Sequence, residues 1–427
     1  FNATLTMSHP LDNIPSLPHV LTMDYDVIIA GGGLNGLTLA LALDSAGITT
    51  VVIDTNTPQE SLNPEFDGRS YALSAASQKM LNALGLWEDL ANHAEPMLEI
   101  KVSDGATGET PSPFVMQFGD EDFRQGPMGF MVEDRHLRAR LAEAVDASTV
   151  AFQAGQTIID QTVHSTHVSV TIEGHPPLTA AVLVGADGRS SRTAKMAGLT
   201  RTGWDYDQSS LVCAIAHEKP HRGIAHQYFM PSGPLAILPL TRNRSGIVWT
   251  EQRQVAQNIH NLSDEDYLSI LRPRFGDFLG EISLAGGRYI YPLSLSTTHR
   301  MIGARIALVG DAAHAVHPIA GQGLNSGFKD IAALAEVLCD TKRRGQDLGI
   351  HTTLAEYQKW RGFDNALLCT ATNSFNRLFS NNNPIFRGIR DLGMGLINAA
   401  PKLRKNFVAT AAGSAGDPPR LLRGEPL

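Results

Sequence analysis

Two glycine-rich turns, one near each end of the 427-residue chain, carry the residue types that hold a large phosphate-bearing cofactor. The first is Gly31-Gly-Gly33-Leu-Asn-Gly36. Its glycines occupy the three positions of the dinucleotide fingerprint: Gly31 permits a tight turn, Gly33 lets a pyrophosphate approach the backbone, and Gly36 lets helix pack on strand. Asp54 follows at roughly the 20-residue distance at which a carboxylate binds ribose hydroxyls. The second is Gly310-Asp311-Ala-Ala-His314-Ala-Val-His317-Pro318-Ile-Ala-Gly321-Gln-Gly323-Leu324-Asn325. A strand that delivers a carboxylate and a glycine-rich turn to a helix start aims backbone N–H groups and a helix dipole at an anion.

A third strand end, Gly185-Ala-Asp187-Gly188, repeats the Asp-Gly pattern and points to a cofactor or reductant contact. Arg69, in Asp67-Gly-Arg69-Ser-Tyr-Ala-Leu73, follows the ribose carboxylate by one loop and is expected at a pyrophosphate. In Glu133-Asp134-Arg135-His136, two readings stand side by side: Asp134 as a helix N-cap, and Arg135 as a cofactor contact. His314 and His317 have the His-x-x-His spacing of a metal pair, but no third ligand is evident and Pro318 follows, so no metal is expected.

The elements that must position these groups follow from periodicity. Tyr25–Ala30 and Thr49–Ile53 read as buried strands around an Ala/Leu-rich helix from Leu34, a βαβ unit. Helices are expected from Ser74 to Leu84, from Val132 to about Ala147, from Leu324 to Leu338 and, as one long amphipathic element, over Leu354–Leu378. Thr149–Glu173 alternates like a hairpin, and Ala181–Gly185 and Ile306–Val309 read as buried strands. From Trp204 to Arg300, short strand-like runs such as Gln227–Met230, Leu235–Leu240 and Ser245–Trp249 alternate with Pro/Gly turns, the pattern of an antiparallel sheet. The fold expected is α/β: a Rossmann-like domain from residues 23–95, 125–203 and 301–350, an inserted antiparallel sheet from 96–124 and 204–300, and a C-terminal helical region over 351–427. Residues 1–22, Pro/Ser/Asn-rich and aperiodic, are expected to be a disordered extension before a native start at Met23.

Bulk properties agree with an ordinary globular protein: 43% hydrophobic and 18% charged residues. A formal net charge of -8 argues against a general nucleic-acid binder. Cys213, Cys339 and Cys369 are odd in number and far apart, against a disulfide framework or a zinc site. No run reaches the ~18 apolar residues of a membrane span, and no basic segment precedes an apolar block as in a signal peptide.

The three motifs, taken in order, resemble the single-component flavoprotein aromatic hydroxylases, the p-hydroxybenzoate hydroxylase class. The longer strings Asp67–Leu73, Gly233-Pro-Leu-Ala-Ile-Leu-Pro239 and His317–Asn325 are similar to the ubiquinone-biosynthesis branch, nearest to its 2-polyprenyl-6-methoxyphenol hydroxylases. The resemblance implies non-covalent FAD, with ribose on Asp54, pyrophosphate at 31–36, the ribityl chain at Asp311, and the Gly323-Leu324-Asn325 backbone against the isoalloxazine. It implies NAD(P)H as co-substrate, O2, and transfer of one oxygen atom from the oxygen adduct of reduced flavin to a phenol ring carbon. Three positions depart from the family pattern. Asp54 stands where Glu is commoner, Ala194 where an Arg follows the Asp-Gly, and Asp134 where Arg or Gln faces the flavin.

A phenol attacks better once ionised, so a polar relay on the substrate strands is expected: His226, Tyr228 and Tyr291 are the candidates, with Tyr289 beside them. A polyprenylated phenol lives in a bilayer. Residues 384–405 carry five basic side chains against one acid, with an apolar side from Phe386 to Ile397, and are expected to be a peripheral membrane element or a packed C-terminal helix. The location implied is cytoplasmic, at the inner membrane, with a ubiquinone-biosynthesis complex as a partner. The alternatives are a hydroxylase of a soluble aromatic substrate and a non-catalytic flavin-bearing component of such a complex.

Overall fold

The computed structural model describes residues 23–57, 65–104, 116–119, 126–315, 322–362, 364 and 416–427. An eight-stranded sheet lies at its centre, with Ile302–Gly303, Ile306–Leu308, Leu178–Gly185, Tyr25–Ala30, Thr50–Asp54 and Ala151–Ala154 side by side in that order. Every neighbouring pair from Ile306–Leu308 to Ala151–Ala154 is parallel, so these strands end on one edge. Parallel strands are covered on both faces and read as unbroken apolar runs, which is why Val27-Ile-Ile-Ala30 shows no alternation. Val27, Ile29, Val52, Val182 and Val184 pack with the helices Leu34–Ser45 and Gln322–Arg343. Ile28, Val51, Ile53 and Leu183 face the other way, onto Ile158, Val168, Val170 and Ile172.

That second cover is a hairpin, not a helix layer, and it differs from the expectation over Thr149–Glu173. Ala151–Ala154 joins the parallel sheet beside Thr50–Asp54, and the hairpin is Ile158–Val163 with Val168–Ile172. Alternation is the same in a sheet edge and in a hairpin, so sequence alone does not separate them.

The nine-stranded sheet gathers Glu99–Asp104 and Met116–Phe118 at one end, the long Arg201–His217 and Tyr289–Thr298 strands, and His314–Ala315 at the other. Helices Arg253–His260 and Asp264–Phe275 cover one face, packing Ala256, Tyr267 and Leu271 on Leu211, Cys213 and Trp249. The opposite face meets a three-stranded sheet of Ser70–Ser74, Gly129–Glu133 and Ala94–Met97, through Ala214, Ala225 and Leu240 against Met97, Met131 and Ala72. Ser74 also starts the helix Ala75–Ala83 by accepting the Ser77 N–H at 3.1 Å, a cap worth ~1 kcal/mol.

A helix over 351–362 returns to the parallel sheet, where Tyr357 Oη donates to the Leu308 carbonyl at 2.7 Å. The rest of the expected Leu354–Leu378 helix, the basic segment 384–405 and Cys369 lie outside the described residues, as do residues 1–22. Among the described residues no helix is long and apolar enough to cross a membrane.

Candidate functional site

The parallel register brings the three sequence motifs to one place. Ala30 pairs with Gly185 and Gly185 with Leu308, so the turns that follow leave the sheet side by side. Backbone bonds join them: Gly31 N–H to Ile53 O at 2.8 Å, Ala186 N–H to Ala30 O at 2.8 Å, and Val309 N–H to Gly185 O at 3.0 Å. Gly31 has φ +106°, and a Cβ there would lie 2.6 Å from the Ala186 oxygen. On Gly36 a Cβ would overlap the Gly31 carbonyl.

Gly33 is different. Its backbone is extended at φ -72°, and a Cβ on it, as on Gly323, would meet nothing within 4 Å. Both glycines open onto free space at helix starts, where backbone N–H groups lack intrahelical partners. Asp54 accepts the Gly32 N–H, and the Asn56 N–H at 2.7 Å, so this shorter acid is drawn back onto the turn.

The second turn rests on the first. Gly310 has φ +58°, and a Cβ there would overlap the Asn35 amide. Asn35 Oδ1 is buried and accepts no hydrogen bond among the described residues. Asp311 is partly exposed and is met by Arg189 Nε at 3.1 Å, while Arg201 donates to the carbonyls of Asp311 at 3.0 Å and Ala312 at 2.8 Å. Arg189 comes from the Asp187-Gly188-Arg189 turn, so the two Asp-Gly-type motifs touch directly. An open glycine cradle, an orphaned amide oxygen and a part-exposed carboxylate at adjoining strand ends fit a dinucleotide such as FAD.

Not every expected residue faces that space. Asp187 accepts from Ser191 Oγ at 2.5 Å and from Thr193 N–H and Oγ1, each at 3.0 Å, so its carboxylate pins the short helix Arg192–Met196. These bonds give Asp187 a structural role at the helix start, and Gly188, at φ +76°, turns the chain. Asn325 points inward, accepting the Ser74 N–H at 2.8 Å and donating to Ala72 O at 2.7 Å. What it and the half-buried Leu324 offer a ligand is backbone. Pro318 and Gly321 lie outside the described residues.

Asp134 is not an N-cap, since Glu133 holds that position. It is a buried hub, accepting from Tyr71 Oη at 2.9 Å and Arg138 Nε at 2.8 Å, with Arg69 Nη2 at 3.5 Å. Arg69 is also held by Asp67 at 2.7 Å and lies 5.9 Å from the Tyr289 ring, at the junction of the flavin-side loop and the substrate sheet. Arg135 is engaged by Glu133 at 2.8 Å and Phe66 at 5.6 Å, beside Arg244, which shares both partners.

Strand register decides which substrate-sheet residues face this junction. Val102, Gln227, Ala236, Val248, Val212 and Tyr289 form one cross-sheet row. The row carries no charge. Tyr289 and Tyr291 lie on the face opposite Ile290, which packs with the helix-covered core, and both feel the charges of Arg69 and Asp67. Burial comes first in raising both phenols above the ordinary tyrosine value, so they are O–H donors at neutral pH.

His226 and Tyr228 stand on the other face. Tyr228 packs into the cluster of Leu235, Trp249 and Tyr267, and His226 against Phe278 at 4.5 Å. Burial, then the Lys101 charge, lowers His226 to about 4, leaving it neutral. Residues two apart on a strand share a face, and only register tells which face, so their candidacy as relay groups is corrected here.

One residue escaped the sequence reading. Asp330, fully buried on the Gln322–Arg343 helix, accepts Gly310 N–H at 3.0 Å, His314 Nε2 at 2.6 Å and Arg361 Nε at 2.9 Å. Burial by itself would raise its carboxyl; the His314 and Arg361 charges and hydrogen bonds outweigh it and hold the group at about 2. Its helical phase, four residues before Leu334, marks an acid on the buried face. His314 is thereby held by a buried carboxylate, and His317, its partner in the His-x-x-His spacing, lies outside the described residues.

Comparison with known proteins agrees with this geometry. The FAD binding domain family matches residues 24–359. The ubiquinone hydroxylase UbiL of Rhodospirillum rubrum is 40% identical over 408 residues, covering 94% of this chain and 93% of that protein. The 3-demethoxyubiquinol 3-hydroxylase of Escherichia coli is 30% identical, over 91% of this chain and 98% of its own length. Among solved structures, p-nitrophenol 4-monooxygenase PnpA of Pseudomonas putida superposes with a TM-score of 0.75 at 18% identity, over 92% of this chain and 99% of that one. The FAD-dependent monooxygenase PqsL of Pseudomonas aeruginosa gives 0.70 at 22%, over 86% and 99%, and shows the same fold. With an FAD-binding match across most of its length and curated relatives of that identity, the chain belongs to the FAD-dependent ubiquinone hydroxylases, the aromatic-ring monooxygenases of this fold.

Proposed function

We propose that this enzyme hydroxylates the ring of a polyprenylated phenol of the 2-polyprenyl-6-methoxyphenol type in ubiquinone biosynthesis, with NAD(P)H and O2 as co-substrates. The observation that carries the substrate class is the uncharged row Val102, Gln227, Ala236, Val248, Val212 and Tyr289. A soluble aromatic acid would need a cation to match its carboxylate. At the end of that face Arg244 is already paired with Glu133 at 2.5 Å. An apolar ring and tail suit the row without an unpaired charge.

The 31–36 turn receives the FAD pyrophosphate, Asp54 the adenosine ribose, Asp311 the ribityl chain, and the backbone of 323–325 the isoalloxazine edge. Held there, FAD would supply the redox chemistry by which NAD(P)H is oxidised and one oxygen atom of O2 is transferred to the ring. The protein orients the phenol and excludes water. Tyr291 and Tyr289 present O–H groups on the side from which the phenol oxygen is held, beside Arg69, whose charge is already matched by Asp67 and Asp134. Stabilising the ionised phenol matters because an unperturbed phenol has a pKa of ~10. Nothing on the described cleft face acts as a strong base, so the phenol proton leaves by hydrogen-bonded relay.

The basic segment 384–405 is proposed to bring the enzyme to the membrane surface, and a quinone-pathway assembly to hand over substrate. Charge reversal at Lys402, Arg404 and Lys405 tests the first: liposome binding unchanged by it rejects the role. The reaction is tested by anaerobic reduction of the yellow holoenzyme with NAD(P)H in the presence of short-chain 2-prenyl-6-methoxyphenol, then air. A hydroxylated product is expected. Hydrogen peroxide with no product, while a prenyl-free aromatic is hydroxylated, moves the substrate to the soluble class.

A further inference from the structure

The 310–315 segment belongs to two domains at once. Its beginning, Gly310-Asp311, ends the third motif at the flavin cleft. Its end, His314–Ala315, is the terminal strand of the substrate sheet, pairing with Ser296 and Thr297. One buried carboxylate fastens both ends. Asp330 takes the Gly310 N–H at 3.0 Å and the His314 ring at 2.6 Å, and is itself fixed by Arg361 at 2.9 Å. None of the three side chains is more than 3% exposed. Arg361 reaches outward to Asp364 at 2.8 Å, so the buried charge is tied to the 351–362 helix as well.

We propose that Asp330 is a positioning residue of the hydroxylation. By holding Gly310 and His314 together, it fixes Asp311 against the flavin and at the same time locks the substrate sheet to the flavin cleft. Asp330 touches neither ligand; it acts through the segment it holds. The reasoning rests on reading the cleft as the FAD site. A lost Asp330 frees the Gly310 N–H, and glycine, which enters and leaves its φ of +58° without strain, can then relax away from the Asn35 amide and carry Asp311 with it.

The test uses the full-length protein stripped of FAD and titrated with it, followed by flavin fluorescence, for wild type, Asp330→Asn, His314→Leu, His314→Gln and Asp364→Asn. At saturating FAD, product formed per NAD(P)H oxidised is measured as well. Asp330→Asn is expected to weaken FAD binding at least tenfold, an effect of the size seen for groups that orient a ligand's direct contacts. It is also expected to lower product yield per NAD(P)H even when flavin is saturating, because the sheet is no longer locked. His314→Leu should do the same. His314→Gln, whose amide can still donate to Asp330, should recover most of both, which a merely space-filling role would not do. Asp364→Asn should change neither. Native FAD affinity and native yield in Asp330→Asn overturn the proposal. If Asp330→Asn does not fold, the His314 pair decides, and equal behaviour of Leu and Gln overturns it. A wild-type protein that binds no FAD instead defeats the cofactor reading on which it rests.

Discussion

Replacing Gly33 by alanine separates the cost of folding from the cost of binding. The backbone at Gly33 is extended, φ -72°, and a Cβ there meets nothing within 4 Å. Alanine therefore fits the folded apoprotein and restricts the unfolded chain, a stabilisation of ~0.4–1 kcal/mol. The same methyl group projects into the space through which pyrophosphate reaches the backbone. Crowding of one methyl in a close-packed site costs ~1–3 kcal/mol, which at ~1.4 kcal/mol per tenfold corresponds to roughly 5- to 150-fold weaker FAD binding. Thermal unfolding with and without FAD is the assay. At an FAD concentration of 100 times the native Kd, the native protein gains ~2.7 kcal/mol; a variant binding 100-fold more weakly gains roughly 0.4 kcal/mol. The expected signature is an apoprotein at least as stable as wild type whose FAD-induced shift has collapsed. Gly31→Ala is the contrast: at φ +106° and 2.6 Å from the Ala186 oxygen, it should damage the fold itself. An undiminished FAD shift in Gly33→Ala would refute the placement of the pyrophosphate at this turn.

Other outcomes follow from the same geometry. Asp330 has a depressed carboxyl, about 2, so its stabilisation is complete above the ordinary carboxylate value of ~3.9 and is lost as pH falls through that of the folded state. Acid unfolding of wild type between these values should be steeper than that of Asp330→Asn, by up to ~1.4 kcal/mol per pH unit; parallel curves would contradict the assignment. Tyr291→Phe should lower the rate of ring hydroxylation roughly tenfold or more with FAD binding unchanged, as for loss of one proton-relay group, whereas His226→Gln, on the helix-covered face, should leave the rate at the native level; steady-state turnover distinguishes them. Arg305→Ala, which abandons the Ser165 and Ala181 carbonyls and the part-exposed Asp347 around a 5% exposed guanidinium, should cost ~1–3 kcal/mol in a urea titration without changing FAD affinity of the folded fraction.

Much of the flavin side was legible because its signals are local. Gly31, Gly33, Gly36 and Gly310 each announce a backbone demand within a few residues, and an apolar run ending in Asp or Gly announces a strand end. The substrate side was legible as a sheet but not as a surface. Whether Tyr228 or Gln227 faces the cleft depends on pairings with Leu235 and Ala236 on one side and Ser103 and Val102 on the other, which no short window contains. Asp187 shows the same limit: an acid after a buried strand reads as a ligand contact, and its bonds to Ser191 and Thr193 at the next helix start are visible only in the fold. Asp330 was passed over because an acid in a helix reads as solvent-facing, and its three partners come from Gly310, His314 and Arg361, outside its own turns.

The order of strands also sets the order of events during synthesis. Leu178–Gly185 is flanked by Tyr25–Ala30 on one side and by Ile306–Leu308 on the other. The chain must translate all of the antiparallel sheet except His314–Ala315 before that second neighbour exists. Until then the dinucleotide turn is present but its companion turn is not, and the Leu183–Gly185 end of the strand, beyond the part paired with Val168–Val170, is a template for pairing with other chains. The complete cleft therefore exists only late in synthesis. A nascent chain halted before Ile306 should present half a cleft, with the 31–36 turn in place and the Gly310-Asp311 turn still to come.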